Sequence, residues 1–172
     1  GLQPGYMAME PLLTEEGTAA EVQTRRTGSS GAVLQPELTA LIAANANLGY
    51  SVQPGVLGTA LQQAGYKVAV IGCADTDIPE RPLVNAFMNS RGAVPYGFVG
   101  KGLFTRDRTG PYGFWTSTEA VLSETRKLKE TVDLIAIEWA DLYRAEKYAT
   151  NCQPAEAAEM RQEALRRLDQ FV

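Results

Sequence analysis

Histidine is absent from the 172 residues. That excludes a Ser-His-Asp or Cys-His nucleophile, a histidine general base and every histidine-bearing zinc site within this chain. Cysteine is scarce: Cys73 and Cys152 are too few for a disulfide framework, and a chain of this length buries a core without staples. Two free thiols lean towards a reducing compartment, so the cytoplasm is the default expectation. No apolar run reaches the roughly 18 residues of a membrane-spanning helix, so no membrane segment is expected. The start, Gly1-Leu2-Gln3-Pro4, has neither an initiator Met nor a charged stretch before an apolar one, and the chain reads as a piece of a longer protein. Charge of neither sign dominates, since 16 basic residues stand against 20 acidic ones for a net charge of -4. Basic residues cluster only at Arg25-Arg26 and Arg166-Arg167, so nucleic acid is not an expected partner.

What is present fits a single α/β domain spanning residues 1–172, or a fragment of a larger one, with 45% hydrophobic and 21% charged residues. RTGSSGAV at 26–33 has the composition of a flexible loop. Before it, residues 15–26 carry a weak helical pattern, and a second helix is expected from Pro36 to about Ala46. Pro54 opens a third, with Val56, Leu57, Ala60, Leu61 and Ala64 on one apolar face and Gly65 placed as a left-handed cap. KVAVI at 67–71 is short, β-branched and bounded by glycines, the signature of a buried strand. Asp77 with Glu80, and Thr116 with Glu119, have the spacing of capping boxes before helices. VDLIAIEW at 132–139 reads as a second buried strand, with Asp141 where a helix cap belongs. In the last helix, 154–172, Ala157, Ala158, Arg161, Leu165, Leu168 and Val172 form a stripe. Helices alternating with apolar strands predict a parallel sheet with helices on its faces.

Ligands of open parallel sheets gather beyond the carboxyl ends of the strands. Asp75 and Asp77 follow the first strand, while Glu138 and Asp141 end the second. Such carboxylates either bind a hard cation or hold an arginine, with Arg81 and Arg144 at hand; the competing reading makes Asp77 and Asp141 helix caps and Asp75 a turn former. Cys73 stands at the mouth of the first strand but reads as a buried structural thiol, because no histidine is there to activate it. Gly97, Gly100, Lys101 and Gly102 fail the phosphate-loop pattern, and no G-x-G-x-x-G follows either strand. Trp139, Tyr143 and Tyr148 read as packing residues.

LGTALQQAGYKVAVIGCAD at 57–75 resembles the L-x-x-A-G-Y-x-T-x-x-x-G-K-W-H segment of sulfatases and other members of the alkaline-phosphatase superfamily. Ala64, Gly65, Tyr66 and Gly72 match, while Cys73, Ala74 and Asp75 replace Lys, Trp and His. LIAIEWADLYRAEKY at 134–148 is similar to the place where phosphodiesterases and cofactor-independent phosphoglycerate mutases of that superfamily carry D-x-x-G-H. Asp141 matches the aspartate, and Arg144 and Ala145 replace Gly-His. With YSVQPGVLGTAL and NSRGAVPYGFVG, these segments together resemble a bacterial branch of the superfamily found largely in Firmicutes, over about two-thirds of the chain.

The resemblance implies an incomplete three-layer α/β/α domain whose parent is a metal-dependent phospho- or sulfo-ester hydrolase. It also implies that the nucleophile and the remaining ligands lie on other parts of a longer parent chain. No residue here is then catalytic, and the chain is expected to be inactive. Asp141, Asp75 and Asp77 are the candidate metal ligands, for weakly bound Mg²⁺, Mn²⁺ or Ca²⁺. Cys73, Glu138, Arg144 and Arg81 are candidates to line the same cleft. An open sheet edge predicts self-association as a homo-oligomer. The alternative is a non-catalytic α/β binding or assembly module whose carboxylates serve as caps and salt bridges.

Overall fold

The computed structural model describes residues 5–12, 17–46 and 52–172. In chain order these form β1 (Tyr6–Met7), α1 (Ala19–Thr27), β2 (Val33–Leu34), α2 (Leu38–Ala46), α3 (Val56–Gln63) and β3 (Val68–Cys73). They continue with α4 (Pro82–Phe87), β4 (Ala93–Val94), β5 (Tyr96–Phe98), β6 (Phe104–Arg106), β7 (Phe114–Thr116), α5 (Thr118–Leu128), β8 (Leu134–Trp139), α6 (Asp141–Tyr148) and α7 (Pro154–Phe171).

The central sheet is parallel, in the order β5-β3-β8. Strand β3 is buried along its whole length because it has a neighbour on each side and cover on both faces. Val70 and Ala136 turn to one face, where they pack with Val84 of α4, Met88 just after it, Leu38 and Leu41 of α2, and Val99. Ile71, Ile135 and Ile137 turn to the other, against Val121 and Leu128 of α5, Leu103 and Phe171 of α7. This period-two alternation, covered by helices on both sides, is the reason both strands read as near-continuous apolar runs. β1, β2 and β4 form a small antiparallel sheet, and β6 with β7 a hairpin. Gly72 is demanded by the close approach of β3 to β8: its φ is +105°, and a Cβ there would lie 2.2 Å from the Glu138 carbonyl oxygen.

Both expected strands therefore lie side by side, parallel, in one sheet, in register from Val68 opposite Leu134 to Cys73 opposite Trp139. The helices differ from expectation in detail. In α1 a capping box between Thr18 and Glu21 sets the start and Gly28 the end, so the glycine-rich loop shrinks to residues 28–32. Asp77 caps nothing: α4 begins at Pro82 with no side-chain cap, and Asp77 is exposed on the preceding loop. Ser117, not Thr116, caps α5, because the Thr116 hydroxyl is engaged with Asp141. Asp141 is the first residue of α6 rather than its cap, since its carboxylate turns away into the core. In α3 the residue that docks is Gly58, against the backbone of Phe87 and Met88, and Val56 and Leu57 of the expected apolar face stay about half exposed. In α7 the buried pair is Met160 and Ala164, while Leu165 and Val172 face outward. No described helix is long and apolar enough to cross a membrane.

Candidate functional site

At the carboxyl end of the sheet two aspartates enter the protein interior, and each meets an arginine. Asp75, just past β3, is 1% exposed. Its Oδ1 accepts from the Glu80 amide at 2.9 Å and from Arg81 Nε at 3.1 Å, and its Oδ2 from Arg81 Nη2 at 3.0 Å. The far side of the Arg81 guanidinium donates to both oxygens of Glu10, at 2.6 and 3.0 Å, and to the Gly5 carbonyl at 2.9 Å. Arg81 is thus a fork held between two carboxylates, the geometry that suits its planar donors best. Burial works against its charge, but the hydrogen bonds and charges of Glu10 and Asp75 outweigh burial and raise its pKa above the ordinary arginine value.

The second centre is built on the first turn of α6. Asp141 and Arg144 lie one helical turn apart and are both fully buried. Asp141 Oδ1 accepts from the Thr116 amide at 3.0 Å, the Thr116 hydroxyl at 2.8 Å and Arg144 Nη2 at 2.7 Å. Arg144 Nη2 also donates to the Thr116 hydroxyl at 2.5 Å, and Nη1 to the Cys73 carbonyl at 3.0 Å. The guanidinium lies 4.9 Å from the Phe104 ring centre and 5.5 Å from that of Phe114, two rings stacked on each other. Through its bond to Cys73, Arg144 joins the end of β3 to the end of β8. Asp75 and Asp141 therefore sit at the same edge of the sheet, as expected from strands that run parallel.

Glu138 lies on the α4 face of β8. Burial pushes its carboxyl up to about 7; the Leu83 amide pulls the other way, the Asp75 charge adds to the rise and Arg144 opposes it. Four buried polar atoms on this stretch have no partner: Glu138 Oε2, Trp139 Nε1, Asp141 Oδ2 and Arg144 Nε. Cys73 is 2% exposed, and burial, reinforced by the Asp75 charge, pushes its thiol up to about 12. Burial and a raised pKa both make it a poor nucleophile. Trp139 stacks on Phe171 and Tyr148 packs edge-on against Tyr112. The Tyr143 hydroxyl is hydrogen-bonded to Glu80 at 2.8 Å.

Of the expected site residues, Asp75, Asp141, Arg81, Arg144, Cys73 and Glu138 converge here, and Asp77 does not. Glu10 and Thr116 were not legible as members, because each reaches its partner across a long stretch of chain with no spacing pattern to mark it. The donor set does not fit the two-metal centre that an alkaline-phosphatase-like parent implies. The Arg81 guanidinium engages both oxygens of Asp75, and Asp141 Oδ1 already accepts three donors, which leaves Asp141 Oδ2 as the one open oxygen of the two aspartates. Among the described residues no group of three or more His, Cys, Asp or Glu is arranged to hold a metal. No protein-family model matches the chain, and neither curated proteins nor solved structures give a match.

Proposed function

We propose that this chain is a catalytically silent α/β domain of alkaline-phosphatase type, serving as a binding or assembly module. The observation that carries the reading is the pairing of each buried aspartate at the sheet's carboxyl end with a buried arginine. A guanidinium supplies the positive charge that a divalent ion supplies in a metal-dependent hydrolase, but it lacks the open coordination positions that polarise a substrate or activate a nucleophile. The carboxylates consequently fix the geometry of loops. Asp75 ties the loop before α4 to the amino-terminal segment through Arg81 and Glu10, and Asp141 ties α6 to the end of β7 through Thr116.

Calorimetric titration with Mg²⁺, Mn²⁺ and Ca²⁺ tests this reading. No saturable heat at submillimolar concentration is expected, because three of the four oxygens of Asp75 and Asp141 are held by donors and Asp141 Oδ2 alone is too few ligands for a hard cation. Saturable binding that disappears in Asp141→Asn overturns the reading.

A further inference from the structure

A cavity of about 590 Å³ lies between the turn that joins β6 to β7 and the first half of α7. It shares no lining residue with the aspartate–arginine centres, and the inference drawn from it does not rest on the functional reading above. Its volume falls within the roughly 300–1,000 Å³ of small-molecule sites. The floor is apolar and aromatic: Trp115 and Met160 are buried, and Tyr148 packs against them. Along α7 the spacing i, i+3, i+7 turns Glu156, Glu159 and Glu163 to the cavity from one face of the helix. Of these, Glu163 is committed, since its carboxylate accepts from Arg166 Nε at 2.6 Å and from Arg167 Nε at 2.9 Å. Among the described residues the side chains of Glu156 and Glu159 have no hydrogen bond or ion pair, and neither has that of Arg108 on the hairpin turn.

At one end the cavity wall already seats a guanidinium, the chain's own. Arg167 lies 4.7 Å from the centre of the Trp115 ring while its Nε is held by Glu163, so an aromatic ring and a helix carboxylate together hold one planar cation. The same two elements recur one turn earlier on α7, where Tyr148 and Met160 line the cavity with Glu156 and Glu159, and no arginine or lysine of the described chain pairs with either carboxylate. We propose that this second position binds a guanidinium compound that also carries a carboxylate: arginine itself, or a peptide that ends in arginine. The guanidinium stacks by Tyr148 and donates to Glu156 and Glu159, and Met160 lies along the aliphatic stem. The ligand's carboxylate pairs with the fork of Arg108 on the other wall. A ligand of negative charge alone would meet two carboxylates, and an apolar one would leave all three charged groups without partners.

Calorimetric titration of the whole chain at pH 7 with arginine, with the tripeptide Ala-Ala-Arg and with citrulline tests the proposal. Citrulline keeps the shape of arginine but carries an uncharged group in place of the guanidinium. Arginine or the tripeptide is expected to give saturable heat, the tighter of the two naming the source, and citrulline none. The double variant Glu156→Gln, Glu159→Gln is expected to weaken that binding roughly tenfold or more, the worth of a charge-assisted hydrogen bond. Arg108→Gln is expected to weaken arginine several-fold and to leave agmatine, which has no carboxylate, unchanged. All three positions are exposed, so the variants fold, which far-UV circular dichroism checks. No saturable heat from either arginine compound, equal binding of citrulline, a double variant that binds as the wild type does, or equal losses of arginine and agmatine in Arg108→Gln overturns the proposal.

Discussion

Replacing Glu138 with Gln keeps the size and the acceptor facing the Leu83 amide but removes the charge. The carboxyl is raised from 4.5 to about 7 in the folded chain, so ionising it there costs up to about 3 kcal/mol more than in the unfolded chain. Water at the edge of the sheet reduces that figure, and about 1–2 kcal/mol is the expectation. A raised carboxyl pKa means that the folded state holds the proton more tightly. Below about pH 4.5 both states are protonated and the penalty is absent. It grows as pH rises through the interval from 4.5 to about 7 and is complete above it. Thermal unfolding of wild type and Glu138→Gln at one protein concentration should therefore give nearly equal Tm values at pH 4. At pH 8 the variant should be higher by about 2–8 °C, the range for about 1–2 kcal/mol in a domain of this size. An offset that does not change between pH 4 and pH 8, or a variant less stable at pH 8, would refute the assignment of Glu138 as a buried, poorly partnered carboxyl.

Three further outcomes follow from the buried pairs and the sheet. Asp141→Leu and Arg144→Met should each cost about 3–5 kcal/mol in urea unfolding, because each strands the opposite charge in the core. The double variant should recover most of that loss; a double variant as unstable as the sum of the singles would mean the two residues do not act as a pair. Gly72→Ala should fail to give a folded chain, since its Cβ meets the backbone of β8, whereas Gly28→Ala, with open space around it, should lose only about 1–2 kcal/mol for its left-handed φ.

The two long strands were legible in the sequence because strands packed between helices hold few polar residues, Glu138 being the exception in β8, and glycines marked the bounds of the first. The edge location of the acidic residues followed from the same fact, since parallel strands end together. Capping patterns misled at Asp77, Thr116 and Asp141. In each, a residue with the right spacing for a local cap was left out on a loop or drawn into a tertiary contact that local spacing does not encode. The apolar face of α3 misled for a different reason. Close helix contact there is made by Gly58, whose missing side chain admits the Met88 carbonyl, and hydrophobic patterning has no signal for a contact made by the absence of a side chain. The Arg81 fork was half legible: its pairing with Asp75 was an open alternative, but the Glu10 half lay far upstream.

The central claim is that arginine–aspartate pairs have taken the place of a working hydrolytic centre. Turnover of p-nitrophenyl phosphate, bis(p-nitrophenyl) phosphate and p-nitrophenyl sulfate by the purified chain, with Mg²⁺, Mn²⁺, Ca²⁺ or Zn²⁺ added in turn, tests it most directly. The predicted rate equals that of the protein-free control for every substrate and metal. Turnover that persists through purification and is lost in Asp141→Asn would contradict the claim.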